Sequence, residues 1–137
     1  MDARCGRGGH ADRHRACAGK LWRWRRRAYG RRNGTALSQE AAAGKKLFVR
    51  QLCTGCHTLA AVDGAEGVAG PNLDQSLEGD DAAYIRESIV DPGAVLDPRF
   101  PKTIMPATGP EAAIPSRRIT DEEVDQIVAF LLTTLEN

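Results

Sequence analysis

Little in this chain could build a core of the usual kind. Its 137 residues include three Phe, two Trp and two Tyr, and both Trp lie before residue 38. The last hundred residues are therefore poor in large core side chains, and a bound apolar group is expected to supply part of the centre, coupling stability to its binding. Methionine occurs only as Met1 and Met105, and histidine only as His10, His14 and His57. Neither Cys nor His follows residue 57, so the C-terminal part offers no further ligands to complete a four-ligand zinc site. Long apolar runs are missing too. The longest in the last helical pattern is Ile127–Leu132, far short of the ~20 residues that cross a bilayer. Before residue 38 there is no apolar core of the about 7 to 15 residues that an export signal needs. The length suits one domain and not comfortably two.

A formal charge of +1 conceals two kinds of polypeptide. Residues 1–37 carry ten Arg and one Lys against Asp2 and Asp12, a balance of +9, whereas residues 38–137 carry 8 basic and 16 acidic side chains, a balance of −8. The first segment has no apolar periodicity and is expected to be disordered unless something binds it. Its Arg23-Trp24-Arg25-Arg26-Arg27 run interleaves cations with an aromatic ring, a pattern that can bind phosphates of nucleic acid or an anionic membrane. A solvated tail is the more ordinary reading, and no nucleic-acid partner is expected. Cys5, His10, His14 and Cys17 match no zinc-finger spacing. Residues 1 to about 36 are not expected to be the natural leader, and a misplaced start or a frame error would account for them.

The chemistry is concentrated in Cys53-Thr54-Gly55-Cys56-His57. C-x-x-C-H is the attachment sequence of a c-type haem, in which two thiols add to the porphyrin vinyl groups and the adjacent His ligates the iron. Two intervening residues let the thiols reach two vinyl groups, and a His directly after the second Cys brings its imidazole beneath the metal. The competing reading is half of a zinc site, because C-x-x-C also supplies two tetrahedral ligands.

Around the motif the pattern is helical. Ser38 is an expected N-cap, with Glu40 in the first turn and Leu47, Phe48 and Leu52 on one apolar face, and Gly44 would let another helix approach. Gly64 to Gly70 reads as a loop ending in Gly70-Pro71-Asn72-Leu73. Asp80 or Asp81 can cap a helix over Ala82–Val90, with Ile85 and Ile89 on one face and Pro92 ending it. Asp97 to Pro101 is turn-rich and leads to Met105-Pro106, with Pro101 and Pro106 holding the loop extended. Thr108 to Arg118 is a loop containing Pro110 and Pro115. A last helix is signalled by a Thr120/Glu123 capping box, an Ile119/Val124 staple, and a stripe of Val124, Ile127, Val128, Leu131, Leu132 and Leu135.

Met105 is the expected second axial ligand, 48 residues after His57. A bis-His iron would have to recruit His10 or His14 from the basic segment. Taken alone, a Met before Pro is more often core filler. A His/Met pair fills both axial positions, which favours electron transfer over catalysis. The alternative is a haem-c enzyme or gas sensor in which Met105 dissociates.

These features together resemble the class I cytochrome c family: the Gly44-Lys45-Lys46-Leu47-Phe48 helix, the attachment motif, Gly70-Pro71-Asn72-Leu73, the isolated Met-Pro and the C-terminal helix. The likeness covers about residues 38 to 136. It implies an all-α cytochrome c fold, three to five helices around one covalently bound haem c, in a domain spanning 38–137. It also implies that the Pro71 carbonyl accepts the second N–H of His57, that Leu73 packs on the porphyrin, and that the last helix crosses the first near Gly44 and Phe48. The run Tyr84-Ile85-Arg86-Glu87-Ser88-Ile89 with Asp91-Pro92 is similar to the haem-c domain attached to the copper subunit of some bacterial terminal oxidases. On that likeness Tyr84 and Arg86 bond the haem propionates, since Arg suits carboxylates. The expected role is single-electron transfer in a respiratory chain, in the periplasm or on the outer face of the cytoplasmic membrane. Partners would be redox proteins such as an oxidase or reductase complex, with any membrane attachment coming from a partner or an anchor not visible in the sequence. An acidic surface that includes Asp63, Glu66, Asp74, Glu78, Asp80, Asp81, Glu87, Asp91 and Asp97 would steer basic partners; solubility alone would explain it equally.

Overall fold

Helix α1, Gly34–Arg50, carries the chain into the haem motif. It begins four residues before Ser38, the expected cap. Thr35, Ala36 and Leu37 do not break a helix, and one residue with capping ability does not stop propagation through it. The structure is a computed structural model, and it describes residues 34–94, 99–100 and 104–135. The basic run, Cys5, His10, His14, Cys17, Asp97 and Pro101 lie outside the described residues, as do the expectations placed on them.

Three further helices follow: α2, Leu73–Ser76; α3, Ala82–Val90; and α4, Asp121–Thr134. Among the described residues there are no strands, and the fold is all-α. Each start has a chemical cause. Asn72 accepts the Asp74 N–H at 2.9 Å to open α2. Asp81, one of the two expected caps, accepts from Ala83 N at 3.1 Å and Tyr84 N at 3.0 Å to open α3. Thr120 and Glu123 form the reciprocal capping box of α4, at 3.1 and 2.9 Å. Satisfying N–H groups that no helical turn can reach is what makes these short helices start where they do.

α1 and α4 cross at a glycine. A Cβ placed on Gly44 would lie 1.9 Å from the Gln126 carbonyl oxygen and 2.9 Å from Phe130 Cβ. That contact needs a residue without a side chain. One turn on, Phe48 meets Phe130 edge to face, with centroids 5.9 Å apart and planes at 63°, a favourable aromatic geometry. α3 packs on α4 beside them, bringing Ile85, Ile89, Val124 and Ile127 into the same core. Residues Leu37–Asn137 form one compact unit. No helix among the described residues is long and apolar enough to cross a membrane.

Candidate functional site

The backbone turns sharply between α1 and the cysteines. Gln51 still donates to Leu47 O at 2.8 Å, but Leu52 takes φ 56° and ψ 30°, the left-handed region, at a cost of roughly 1–2 kcal/mol for a residue with a Cβ. Leu52 was expected on the apolar helix face; it lies past the helix end at Arg50, is 68% exposed, and lines the same cavity as the cysteines. The turn feeds a short 3₁₀ segment, Cys53–Gly55. Within it Cys53 O accepts the N–H groups of Cys56 and His57, at 3.2 and 3.0 Å. Cys53 is half-buried, Cys56 exposed, and His57 only 7% exposed.

His57 is held from the far side of a loop. Its Nδ1 donates to the Pro71 carbonyl at 2.8 Å. The bond is bracketed by Gly70 N–H to Cys56 O at 2.8 Å and Leu73 N–H to Thr58 O at 2.9 Å. Two backbone ties thus clamp residues 70–73 against residues 56–58, and the imidazole is trapped between them. Gly70 is part of the clamp. A Cβ there would lie 2.7 Å from His57 Cε1 and 3.0 Å from Nδ1, so the ring rests directly on the backbone. Farther along the loop, Gly67 approaches the Cys56 backbone as closely, and its carbonyl accepts from the Thr58 hydroxyl at 3.0 Å. Asp74 closes the loop by accepting the Ala60 N–H at 2.9 Å.

Cys53, Cys56, His57, Pro71 and Leu73 all line one cavity of about 500 Å³, as do Tyr84 and Met105. Its other walls are core side chains, Phe48, Ile85, Ile127 and Leu131 among them. The cavity thus reaches into the core of the domain and opens to solvent along one side, where Leu52, Cys56 and Ile104 are exposed. Burial pushes the Cys53 thiol up to about 11, and the positive charge of Arg117 acts in the opposite direction.

Arg86 is the exception among the expected site residues. It does not line the cavity, because its guanidinium is taken by α4: Nη2 donates to Asp121, and Nε to Asp125 Oδ1 at 3.1 Å. Two carboxylates presented on the neighbouring helix satisfy the fork, and it serves to tie α3 to α4. The structure thus does not bring Arg86, expected to bond the haem propionates, to the cavity with the other site residues. Arg117 and Thr108, by contrast, line the cavity and were not expected there. They come from the loop between Met105 and α4, which has no periodicity from which facing could be read.

The site suits a large, flat, apolar group carrying a metal. The enclosing walls are hydrocarbon, two thiols stand one turn apart on the rim, and an oriented imidazole and a thioether share the cavity. Among the described residues no cluster of three or more His, Cys, Asp or Glu side chains forms that could hold a metal ion alone. A helical domain that wraps a C-x-x-C-H turn around one apolar chamber is a haem-attachment domain. The cytochrome c family model matches residues 41–135, and the chain belongs to that family. It accordingly carries covalently bound haem c with its iron and is an electron-transfer protein. No curated protein and no solved structure matches the chain.

Proposed function

We propose that this chain is a monohaem c-type cytochrome that passes single electrons in a respiratory chain, with His57 and Met105 as the axial ligands and Cys53 and Cys56 as the attachment thiols. The observation that carries the reading is the 2.8 Å bond from His57 Nδ1 to the Pro71 carbonyl. It commits one ring nitrogen, leaves Nε2 for the metal, orients the ring and raises its basicity. Met105 lines the same cavity, and the only other Met in the chain is Met1. When bound, the haem supplies a one-electron couple whose potential a thioether ligand raises relative to two imidazoles. With His57 and Met105 both holding the iron, the site would leave no position open to a substrate. Leu73 and Tyr84 line the cavity as further contacts for the porphyrin.

The compartment follows from the chemistry of attachment, which takes place outside the cytoplasm: the periplasm or the outer membrane face. The likeness of Tyr84 to Ile89 and Asp91-Pro92 to oxidase-linked haem domains supports an oxidase or reductase complex as partner. Exposed Asp63, Glu66, Glu78 and Asp91 supply a negative surface that favours basic partners.

The deciding experiment is the visible spectrum of the full chain, fused to an export signal and produced in a host that matures cytochromes c, in both oxidation states. The expected result is a sharp reduced spectrum of thioether-ligated haem with a weak long-wavelength Met–ferric band when oxidised, and loss of that band in Met105→Ala. A high-spin spectrum that responds to carbon monoxide would favour the enzyme or sensor. Absence of covalent haem would overturn the reading.

A further inference from the structure

Most cations described in this domain have carboxylate partners or face water. Arg50 pairs with Glu123, and Arg86 with Asp121 and Asp125. Arg117 is different. It is half-buried, lines the central cavity, and has no carboxylate partner among the described residues. Its one side-chain hydrogen bond runs from Nη1 to Thr108 Oγ1 at 3.4 Å. A guanidinium placed in an apolar wall without a counter-charge is costly unless the occupant of the cavity responds to it.

The loop that presents Arg117 is tied down at several points. Thr108 N–H donates to Ile89 O of α3 at 2.9 Å, and Gly109 N–H donates to Arg117 O at 3.1 Å. Ala112 N–H donates to Gly109 O at 3.1 Å, and Arg117 N–H to Ile114 O at 2.9 Å. Arg118 Nε adds a bond to Ala112 O at 2.9 Å, and a 3₁₀ turn over Pro115–Arg117 ends the loop. Thr108, 2% exposed, is the buried anchor of the whole segment. The backbone that presents Arg117 is thus fixed by several bonds, and its guanidinium reaches back to the buried Thr108.

We propose that Arg117 is a positioning charge of the haem site, held on the cavity wall by Thr108, and that it shifts the protein toward its reduced state. The proposal rests on the reading of His57 and Met105 as the ligands. One electron passing from a reduced protein partner to the bound haem would lower the net charge of the site by one. A fixed cation in the wall favours the less positive state, and low local polarity lengthens its reach. At an effective dielectric of ~20, a unit charge acting over about 12 Å contributes about 1.4 kcal/mol, a tenfold shift in the reduced-to-oxidised ratio and about 59 mV for a one-electron couple.

The test is a redox titration of the full-length holoprotein beside Arg117→Lys, Arg117→Gln and Arg117→Glu, each with visible spectra in both states. Lys should remain near wild type, Gln should lower the reduced fraction about tenfold at a fixed poise, and Glu should lower it further, all with the axial-ligand bands retained. Unchanged potentials in Gln and Glu with those bands intact would overturn the proposal and leave the cytochrome reading standing. Equal shifts in Lys and Gln would also overturn it, since they would report packing and not charge. A wild-type protein without covalent haem would remove both.

Discussion

A methyl group added at Gly70 would lie 2.7 Å from His57 Cε1, well inside contact distance. The imidazole cannot retreat freely, because its Nδ1 is bound to the Pro71 carbonyl at 2.8 Å and the flanking backbone is tied on both sides. Gly70→Ala is therefore expected to cost about 1–3 kcal/mol, the usual range for overpacking, and to alter the ligand bands as the ring tilts. Thermal melting and the visible spectrum of the same sample check both parts; a normal spectrum would mean that the backbone and not the ring gives way. At this scale the sequence is most readable where chemistry demands local spacing. Cys53, Cys56 and His57 must be adjacent to act together, so they declare themselves. Arg86 and Arg117 do not. Residue type says what a guanidinium can bind, but only packing decides that one faces Asp121 and Asp125 and the other the cavity.

Gly44 and Thr120 carry the tests at the level of the helices. In Gly44→Ala a gain of about 1 kcal/mol in helix propensity opposes a Cβ that would sit 1.9 Å from the Gln126 carbonyl oxygen and 2.5 Å from its carbon. Backbone cannot swing aside as a side-chain tip can, so the clash wins and a net loss of about 1–3 kcal/mol is expected. The denaturant midpoint should fall with an unchanged slope. At the start of α4, Thr120→Ala should cost about 1 kcal/mol. Glu123 gives this cap a pH dependence. The Thr120 N–H first, and then Arg50, hold its carboxyl below the usual carboxylate value. A value lower in the folded than in the unfolded state means that Glu123 contributes stability above its ordinary value, which is lost as pH falls through the lowered one. The difference in melting temperature between wild type and Glu123→Gln should shrink on acidification; a difference constant from pH 7 to 3 would contradict the assignment. The α3 and α4 starts were legible because caps and periodicity have local signatures, and Gly44 announced a close helix approach whose partner only the family resemblance supplied. The start of α1 was not, since Ser38 is as acceptable inside a helix as before it. The Met105–α4 loop was not either, because its order comes from backbone bonds that no residue pattern announces.

Two properties belong to the molecule as a whole, its charge and its hollow centre. Asp74 and Asp81 have structural tasks, closing the haem loop and capping α3, so any steering falls to acids such as Asp63, Glu66, Glu78 and Asp91, which are exposed. Electron-transfer rates with a basic partner should fall as salt rises from about 10 to 150 mM, where the screening length shrinks from ~30 to ~8 Å; rates indifferent to salt would reduce these acids to solubilising groups. The hollow centre has the larger consequence. The core side chains Phe48, Leu73, Ile85, Ile127 and Leu131 are also cavity walls, so a large share of the apolar interior faces the chamber. Without the haem that the family carries, the apolar walls of this space of about 500 Å³ face water, at a cost of roughly 25 cal/mol for each Å² of apolar surface. The whole stability of a domain of this size is about 5–15 kcal/mol. The haem-free chain, made by replacing Cys53 and Cys56 with Ala and produced without haem, is thus expected to lose this arrangement, with weak helical dichroism and no cooperative melting, while the haem-loaded protein melts in one sharp transition. Cooperative melting of the haem-free chain near the temperature of the loaded one would mean that the helices pack without the group they surround. The crossing at Gly44 and the Phe48–Phe130 contact would then have to support the fold alone.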